Sequence, residues 1–503
     1  MSALSHGARS MCMSFIFQKV KWPLKQQADP ETGLHVFPEH IRRLHLRIAW
    51  PGEWSDYGPG RSQWGQAYVD TSIYPHPGRF WYDPEARSIE NLAAIIPDMA
   101  SLQSAAFSCP FWPPRSLLSA LSSVGPNFSS ITFDETPISV IPGRDPLPHV
   151  HLPVQSLVYI AVFGSIRMGD GHLEPKYTVE SYFQPEWKRK YAQTHHWDST
   201  QTLHRNYIMS HAVSLTRLEI SGSLFSYDDM AFQQWPFLRS LILTGRIPSR
   251  KDYDIQPGNS TIEGVLARMP KLDDLRLLFS QTQHQSMDLA PCASSTRLTS
   301  LAVSHICSLE GVKLTSLRRL AVLAITHYPR PPIALSIVNL DKVLQALEEG
   351  NASITRFRVM VEDPLTPQTC RRIAECCPLL EDLEIELCVY PDGAAEHSKE
   401  AYAEALAPLT RLHSLRICIQ FPESDAGSTP PFSMRKEFAH YFATTMPTLN
   451  NVGLEYRRRA GRAQDLWVDY EVVRLGDQVA EVEQLVTSFY PQTSIWHRQV
   501  IVA

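Results

Sequence analysis

One short pattern of apolar positions recurs along the chain. An apolar residue is followed, after two intervening residues, by a second and, after one more, by a third, as in Leu215, Leu218 and Ile220. Clear instances begin at Ile41, Phe128, Leu215, Leu238, Leu272, Leu298, Leu317, Ile354, Leu380, Leu412 and Leu449, and weaker ones lie near Leu102 and Leu157. Because the last two apolar positions are two residues apart, they point to one face of a β-strand. Each instance therefore predicts a short strand with one buried face.

The residues beside and between these apolar positions are frequently charged, which predicts that they occupy the outward face of the strands. A short strand that buries one face is not stable alone, but stacked copies bury a continuous core. We therefore expect a solenoid whose outward strand residues form a partner-binding surface of mixed charge. The residues predicted to line it are Arg217, Glu219, Arg239, Asp274, Arg276, Arg356, Arg358, Asp382, Glu384 and Arg416.

Helical spacing separates several of the predicted strands. Apolar residues fall on one helical face at 262–269, 340–347, 370–377 and 438–446, and proline follows at Met269-Pro270, Cys377-Pro378 and Met446-Pro447. Proline ends a helix and favours an extended residue before it, so helix, proline and strand form one repeating unit. Because the units differ in length, the predicted fold class is α/β: an irregular leucine-rich-repeat solenoid with a parallel sheet on the concave face and helices on the convex face.

The interruptions of this rhythm suggest the domain organisation. Residues 24–163 are predicted to be divergent N-terminal repeats with an aromatic insertion at 49–90, 164–211 an insertion loop, 212–490 leucine-rich repeats and 491–503 a C-terminal tail. The aromatic insertion has two interpretations. It caps the open end of the solenoid, or Trp54, Trp64 and Trp81 are exposed anchors for a partner.

Composition narrows the classes of partner. The chain has 503 residues, of which 44% are hydrophobic and 20% charged, with a net charge of −5, which is typical of a folded soluble protein with a large core. This charge predicts no general attraction to nucleic acid or membrane. No apolar run approaches the roughly 20 residues of a membrane helix, and the start lacks a secretory signal. The nine cysteines are therefore predicted to be reduced thiols in a cytoplasmic or nuclear protein.

Candidate chemistry is sparse, and we predict no enzyme activity, cofactor, catalytic residue or metal ligand. Four histidines with nearby aspartates form the best enzyme-like cluster. Their spacing is not a known zinc-ligand pattern, so we interpret the segment as an ordinary polar insertion and not as a zinc site. The cysteines between residues 370 and 388 include two on an apolar helical face, so we interpret them as core-packing residues and not as metal ligands. An arginine group favours a solvated turn over an import patch or a contact with an acidic partner. These three sets are His195, His196, His204 and His211 with Asp170 and Asp198; Cys370, Cys376, Cys377 and Cys388; and Arg457, Arg458, Arg459 and Arg462.

The chain resembles the fungal F-box/leucine-rich-repeat proteins. The run from Cys377 to Cys388 looks like the cysteine-containing repeat of that family, Leu4–Ser10 and Phe15–Pro23 look like the end of an F-box and the strand after it, and Phe37–Leu44 looks like the first repeat. The family's F-box opens with a Leu-Pro-x-Glu-like segment and two helices. This sequence starts too late to contain them. The resemblance therefore implies an F-box remnant and linker at 1–23.

The resemblance also implies a function. The chain would be the substrate-recognition receptor of an F-box type ubiquitin ligase. It would bind an unknown protein substrate and the F-box adaptor of a cullin-RING ligase. Two alternatives remain open: a leucine-rich-repeat scaffold or inhibitor without ligase linkage, and a metal-dependent enzyme that uses the 164–211 insertion.

Overall fold

A computed structural model describes most of the predicted repeats and few of the insertions. The described residues are 19–23, 41–47, 90, 92–108, 115–137, 150–162, 205–221, 227–245, 262–279, 287–288, 298–303, 307–308, 314–322, 335–387, 397–419, 432–456, 466–475 and 478–485. The chain divides into two compact units, Met1–Leu272 (unit 1) and Asp273–Ala503 (unit 2).

Unit 1 is built on parallel strands that pair in chain order. They are β1 (Lys19–Pro23), β2 (Arg43–Arg47), β3 (Ser104–Ser108), β4 (Ser130–Pro137), β5 (Ser156–Val162), β6 (Arg217–Ser221) and β7 (Ser240–Gly245). Its helices include α1 (Arg115–Ser122), α2 (Tyr227–Phe232) and α3 (Ile262–Leu266), with a 3-10 turn at Ile96–Asp98. The register aligns the apolar positions of successive repeats, for example Ile131 with Leu157 and Leu218 with Leu241.

Aromatic side chains fill the core of unit 1 in successive repeats. The ring centroids of Phe107 and Phe133 are 5.6 Å apart, and those of Phe133 and Tyr159 are 5.5 Å apart. Trp235, which is followed by Pro236, is fully buried and donates its indole N–H to the carbonyl of Met230 at 3.1 Å. Large side chains thus extend the buried stripe from one strand to the next.

Unit 2 continues the same organisation. Its strands are β8 (Asp274–Phe279), β9 (Met287–Asp288), β10 (Ser300–Val303), β11 (Cys307–Ser308), β12 (Arg319–Val322), β13 (Arg356–Val361), β14 (Asp382–Leu387), β15 (Ser414–Ile417), β16 (Asn451–Tyr456), β17 (Leu466–Leu475) and β18 (Gln478–Gln484). Strands β8, β10 and β12 to β16 pair in parallel, while β9 and β11 form a separate two-stranded sheet.

The helices of unit 2 are α4 (Ile337–Glu349), α5 (Pro367–Cys376), α6 (Lys399–Leu406) and α7 (Phe432–Thr445). Hydroxyl side chains cap the starts of three of them: Ser336, Thr366 and Ser398 each accept a hydrogen bond from the backbone N–H three residues later. Such a cap satisfies one of the free N–H groups of the first turn. The buried face of α4 consists of the apolar residues at 340–347 that its spacing predicts.

The predicted strands are confirmed at every clear instance of the apolar pattern, and the weaker instances near Leu102 and Leu157 are strands β3 and β5. The expectation of a uniformly parallel sheet is wrong at the end of unit 2, where β17 pairs antiparallel with β16 and β18 antiparallel with β17. The connection from Tyr456 to Leu466 is too short for the crossover of about a dozen residues that parallel pairing requires. The chain therefore turns back beside β16.

Several predicted segments fall on residues outside the described part of the chain. These are most of 1–23, the aromatic insertion apart from its last residue, residues 164–204 of the insertion loop, and the tail at 491–503. The predicted segment boundaries stay predictions.

Candidate partner-binding surface

The predicted site residues of unit 1 lie on or beside β6 and β7. Arg217 and Glu219 alternate with the fully buried Leu218 and Ile220, and the guanidinium of Arg217 lies 3.1 Å from the carboxylate of Glu219. Arg239 is exposed and lies one residue before β7. Alternation along β6 therefore places the two charged residues on the face of the strand opposite the core.

In unit 2 the first predicted pair is on β8, where Arg276 and Asp274 form an ion pair at 3.1 Å. Arg276 is buried, and the register continues its position across the sheet through Ala302 and Ala321 to Arg358. Two alanines thus separate the Arg276 pair from the charged residues of β13.

The strands β13 and β14 carry two cross-strand ion pairs. Arg356 lies opposite Asp382 and contacts its carboxylate at 2.8 Å, with both side chains partly exposed. Two residues on, Arg358 lies opposite Glu384 at 2.9 Å and also donates its Nε–H to Glu386 at 3.1 Å. Opposite charges directly across a sheet stabilise the pairing of the strands.

The next charged position is on β15. Arg416 lies opposite Glu384, which it contacts at 3.5 Å, and it donates to both carboxylate oxygens of Asp469 on β17 at 3.0 and 2.9 Å. Gly453 of β16 lies in register between Arg416 and Asp469. A Cβ atom at Gly453 would lie 2.5 Å from Cγ of Arg416 and 2.7 Å from Oδ1 of Asp469, so this contact requires glycine.

We name this continuous set the ion-pair ladder: Arg358, Glu384, Glu386, Arg416 and Asp469. Arg416, Glu384 and Asp469 are 5% exposed or less, so these charges are largely desolvated and lie against one another. The ladder sets two guanidinium groups against three carboxyl groups. Burial raises the pKa of Glu386 to about 7, Arg358 opposes the rise and Glu384 adds to it.

Sequence reasoning missed three members of this arrangement. Glu386 continues the alternation of Asp382 and Glu384 along β14, and extending that pattern by two residues would have identified it. Asp469 and Gly453 carry no such signal, because their positions depend on the antiparallel return of β17 beside β16.

The histidine cluster is only partly described. His211 is fully buried: its Nδ1–H donates to the carbonyl of Tyr207 at 2.8 Å, and its Nε2 accepts the backbone N–H of Leu152 at 3.1 Å. Burial lowers the pKa of His211 to about 4. Its ring stacks on that of His151, with centroids 4.8 Å apart. His211 thus joins two segments of the core.

The other candidate ligands of that cluster, His195, His196, His204, Asp170 and Asp198, lie outside the described residues. Within the part of the chain that the structure describes, no group of three or more histidine, cysteine, aspartate or glutamate side chains could hold a metal ion.

The described cysteines of the candidate group are packing residues. Cys370, Cys376 and Cys377 are free thiols and buried, as the core-packing interpretation predicts. Burial raises the pKa of Cys377 to about 12 and that of Cys370 further. Cys388 and the arginines at 457–462 lie outside the described residues.

These observations define the class of protein. One strand per repeat, parallel pairing in chain order and helices before the strands make each unit an α/β repeat array of the leucine-rich type. No helix among the described residues has the length and apolar character needed to cross a membrane.

Comparison with known proteins adds a distant likeness to a solved structure. No family model and no curated protein matches the chain. A solved structure of a TLR13–ssRNA13 complex is similar, with 13% sequence identity and a TM-score of 0.31. The match covers 87% of this chain and 58% of the other, so this chain spans less than two thirds of that protein. The fold assignment rests on strand order and register, not on this likeness.

Proposed function

We propose that the protein is a recognition module that binds another protein through the outward face of its strands, and not an enzyme. The observation that carries the proposal is the register of β13 and β14, which sets partly exposed Arg356 and Asp382 side by side opposite the buried apolar rows. A fixed pattern of positive and negative groups on a rigid sheet discriminates between partners by electrostatic complementarity. Arg217 and Glu219 of unit 1 supply a second such pair.

The ten predicted residues contribute to this surface unequally. Arg276, Arg358, Glu384 and Arg416 are buried, Arg239 is exposed, and Arg217, Glu219, Asp274, Arg356 and Asp382 are partly exposed. We therefore assign partner contact to the more exposed members and a supporting role to the buried ones. Within the predicted solenoid this face would be the concave one.

The experiment exchanges the two charges of one exposed pair. Reversing Arg356 or Asp382 alone (Arg356→Asp, Asp382→Arg) leaves two like charges adjacent, whereas the double exchange restores an ion pair of inverted direction. If a partner reads the pattern, proteins retained by the wild-type chain in a pull-down are lost with all three variants, although the double exchange melts like wild type. Retention by the double exchange would overturn the assignment, because the pair would then serve only the fold.

The finer proposal, from the resemblance, is that the bound protein is a substrate delivered to an F-box type ubiquitin ligase. Co-purification of the full chain with the F-box adaptor of a cullin-RING ligase tests it. A stable complex supports the receptor function. Absence of a complex, together with a partner bound at the strand face, favours the scaffold or inhibitor alternative.

A further inference from the structure

Unit 1 also carries an open groove, whose lining includes Arg239 of the predicted charge pattern. It encloses about 520 Å³ and lies at the end of the sheet where the strands begin. Its lining comes from successive turns: Pro153, Ser214, Phe237 and Lys271 each lie three residues before the start of a strand, and Gln155, Thr216 and Arg239 lie immediately before one. The repeat itself therefore builds the groove.

The floor of the groove is rigid. The backbone N–H of Thr216 donates to the carbonyl of Gln155 at 2.7 Å, and that of Arg239 donates to Thr216 at 2.8 Å. Neighbouring strands are about 4.8 Å apart, so a groove across four successive turns is about 14 Å long, which suits about four residues of extended peptide.

The groove contains exposed apolar side chains. Val213 is 58% exposed and Phe237 is 48% exposed, and the apolar side of Pro153 lies in the same lining. An exposed aromatic residue beside aliphatic ones is the usual anchor of a protein contact.

Two cations stand at one end of this apolar lining. Lys271 places its Nζ 4.5 Å from the ring centroid of Phe237, and Arg239 is exposed next to it in the lining. Among the described residues, neither side chain forms an ion pair with a carboxylate. A partner that places carboxylates here and an apolar side chain against Phe237 would complement both features.

We propose that this groove binds a short, extended acidic segment of a partner protein, with an apolar side chain against Val213 and Phe237 and carboxylates on Arg239 and Lys271. A peptide suits the groove better than a nucleic acid, because single-stranded nucleic acids use several stacking aromatic residues along a basic track. The described residues that line the groove include a single aromatic ring and two cations. The inference rests on the proposed function, protein recognition, but uses a surface other than the Arg356–Asp382 pair.

The test uses the full chain and a display library of random twelve-residue peptides. We expect enriched peptides to combine acidic residues with a leucine or aromatic residue, and their affinity, measured by fluorescence anisotropy, to fall as salt rises. The double variant Arg239→Glu/Lys271→Glu should weaken binding at least tenfold, and Phe237→Ala about tenfold. Because these side chains are exposed, the variants should melt like wild type.

A matched control reverses two other exposed cations of unit 1, Arg42→Glu/Arg115→Glu, and should leave peptide affinity unchanged. Enrichment of neutral or basic peptides, binding that ignores the groove variants, or no binding peptide at all would overturn the proposal. So would binding of a twelve-residue oligouridylate, lost with the groove variants, in place of acidic peptides.

The strand-face exchange separates the two proposals. If the selected peptides respond to Arg356→Asp/Asp382→Arg and not to the groove variants, the groove proposal fails and the strand-face function stands. If the pull-down partner ignores the exchange while acidic peptides bind the groove, the strand-face function fails and the groove proposal stands.

Discussion

At the scale of single residues, Gly453 has less room for a side chain than any other described glycine. Its missing side chain leaves room for Arg416 to reach Asp469, and a Cβ atom there would lie 2.5 Å from Arg416 Cγ. Because the contact is buried and bidentate, separating Arg416 from Asp469 would weaken the pairing of two desolvated charges.

We therefore predict that Gly453→Ala lowers the free energy of unfolding by about 2–4 kcal/mol. The measurement is urea denaturation followed by circular dichroism. Gly264→Ala is the matched control, because a Cβ at Gly264 meets nothing within 4 Å and lies within helix α3, where alanine is favoured by about 0.5–1 kcal/mol. An equal effect of both substitutions would contradict the steric argument.

His211 is the residue whose ionisation bears most directly on the core of unit 1. Its pKa is lowered from 6.5 to about 4, so the unfolded chain binds a proton that the folded chain does not between these values. The neutral His211 therefore costs the folded state no stability above pH 6.5. The free energy of unfolding falls as the pH decreases towards 4, by on the order of 3 kcal/mol.

His211→Gln should abolish this acid-side loss while lowering stability at neutral pH, because one of the two hydrogen bonds is lost. Melting temperatures between pH 4 and 7.5 measure both effects. The exposed His440→Gln serves as the control and should keep the wild-type profile. An unchanged acid-side slope in His211→Gln would show that another group causes it.

At the scale of elements, the ion-pair ladder fastens β13, β14, β15 and β17 to one another across their outward face. Burial raises the pKa of Glu386 to about 7, Arg358 opposes the rise and the neighbouring Glu384 adds to it, so the folded chain holds this proton more tightly than the unfolded chain. The unfolded glutamate ionises near 4.5. Stability from this group is thus present below pH 4.5 and is lost as the pH rises through 7.

We predict that Glu386→Gln removes this loss and raises the urea midpoint at pH 8 relative to wild type, with little effect at pH 5. Denaturation curves at the two pH values provide the measurement. Glu404→Gln, an exposed glutamate on α6, should change neither curve. A destabilising effect of Glu386→Gln at pH 8 would show that Arg358 needs this carboxylate. It would contradict the argument that burial and Glu384 make the ionised form unfavourable.

At the scale of the whole molecule, the last parallel strand of unit 2, β16, has an edge that needs protection. In unit 2 the antiparallel strands β17 and β18 cover the edge of β16, and the backbone N–H of Val472 donates to Asn450 at 2.9 Å. An uncovered parallel edge would offer free N–H and C=O groups to another chain.

Val472→Pro should detach β17, because proline has no N–H to donate, and should produce self-association that grows with protein concentration. Size-exclusion chromatography with light scattering measures the mass. Val472→Ala shortens the same side chain but keeps the backbone hydrogen bond, so it should lower stability while keeping the wild-type mass. Identical behaviour of the two variants would indicate that side-chain packing, not backbone pairing, holds β17.

The sequence alone was sufficient for the repeated element. The spacing of Leu380, Leu383 and Ile385 places two apolar side chains on one side of a strand whatever surrounds it, and the helical spacing at 340–347 does the same for α4, so strands, helices and core residues could be predicted locally. Charged residues such as Arg358 and Glu384 could likewise be assigned to the opposite face.

Only the tertiary structure decided which of those charges remain available to a partner. The exposure of Arg356 and the burial of Arg416 depend on the neighbours that register brings within a few ångströms, and Asp469 reaches Arg416 only because β17 turns back beside β16. The groove before β5 to β7 likewise joins turns that are far apart in the chain. Spacing along a chain determines which way a side chain points, whereas contacts between repeats determine what it meets.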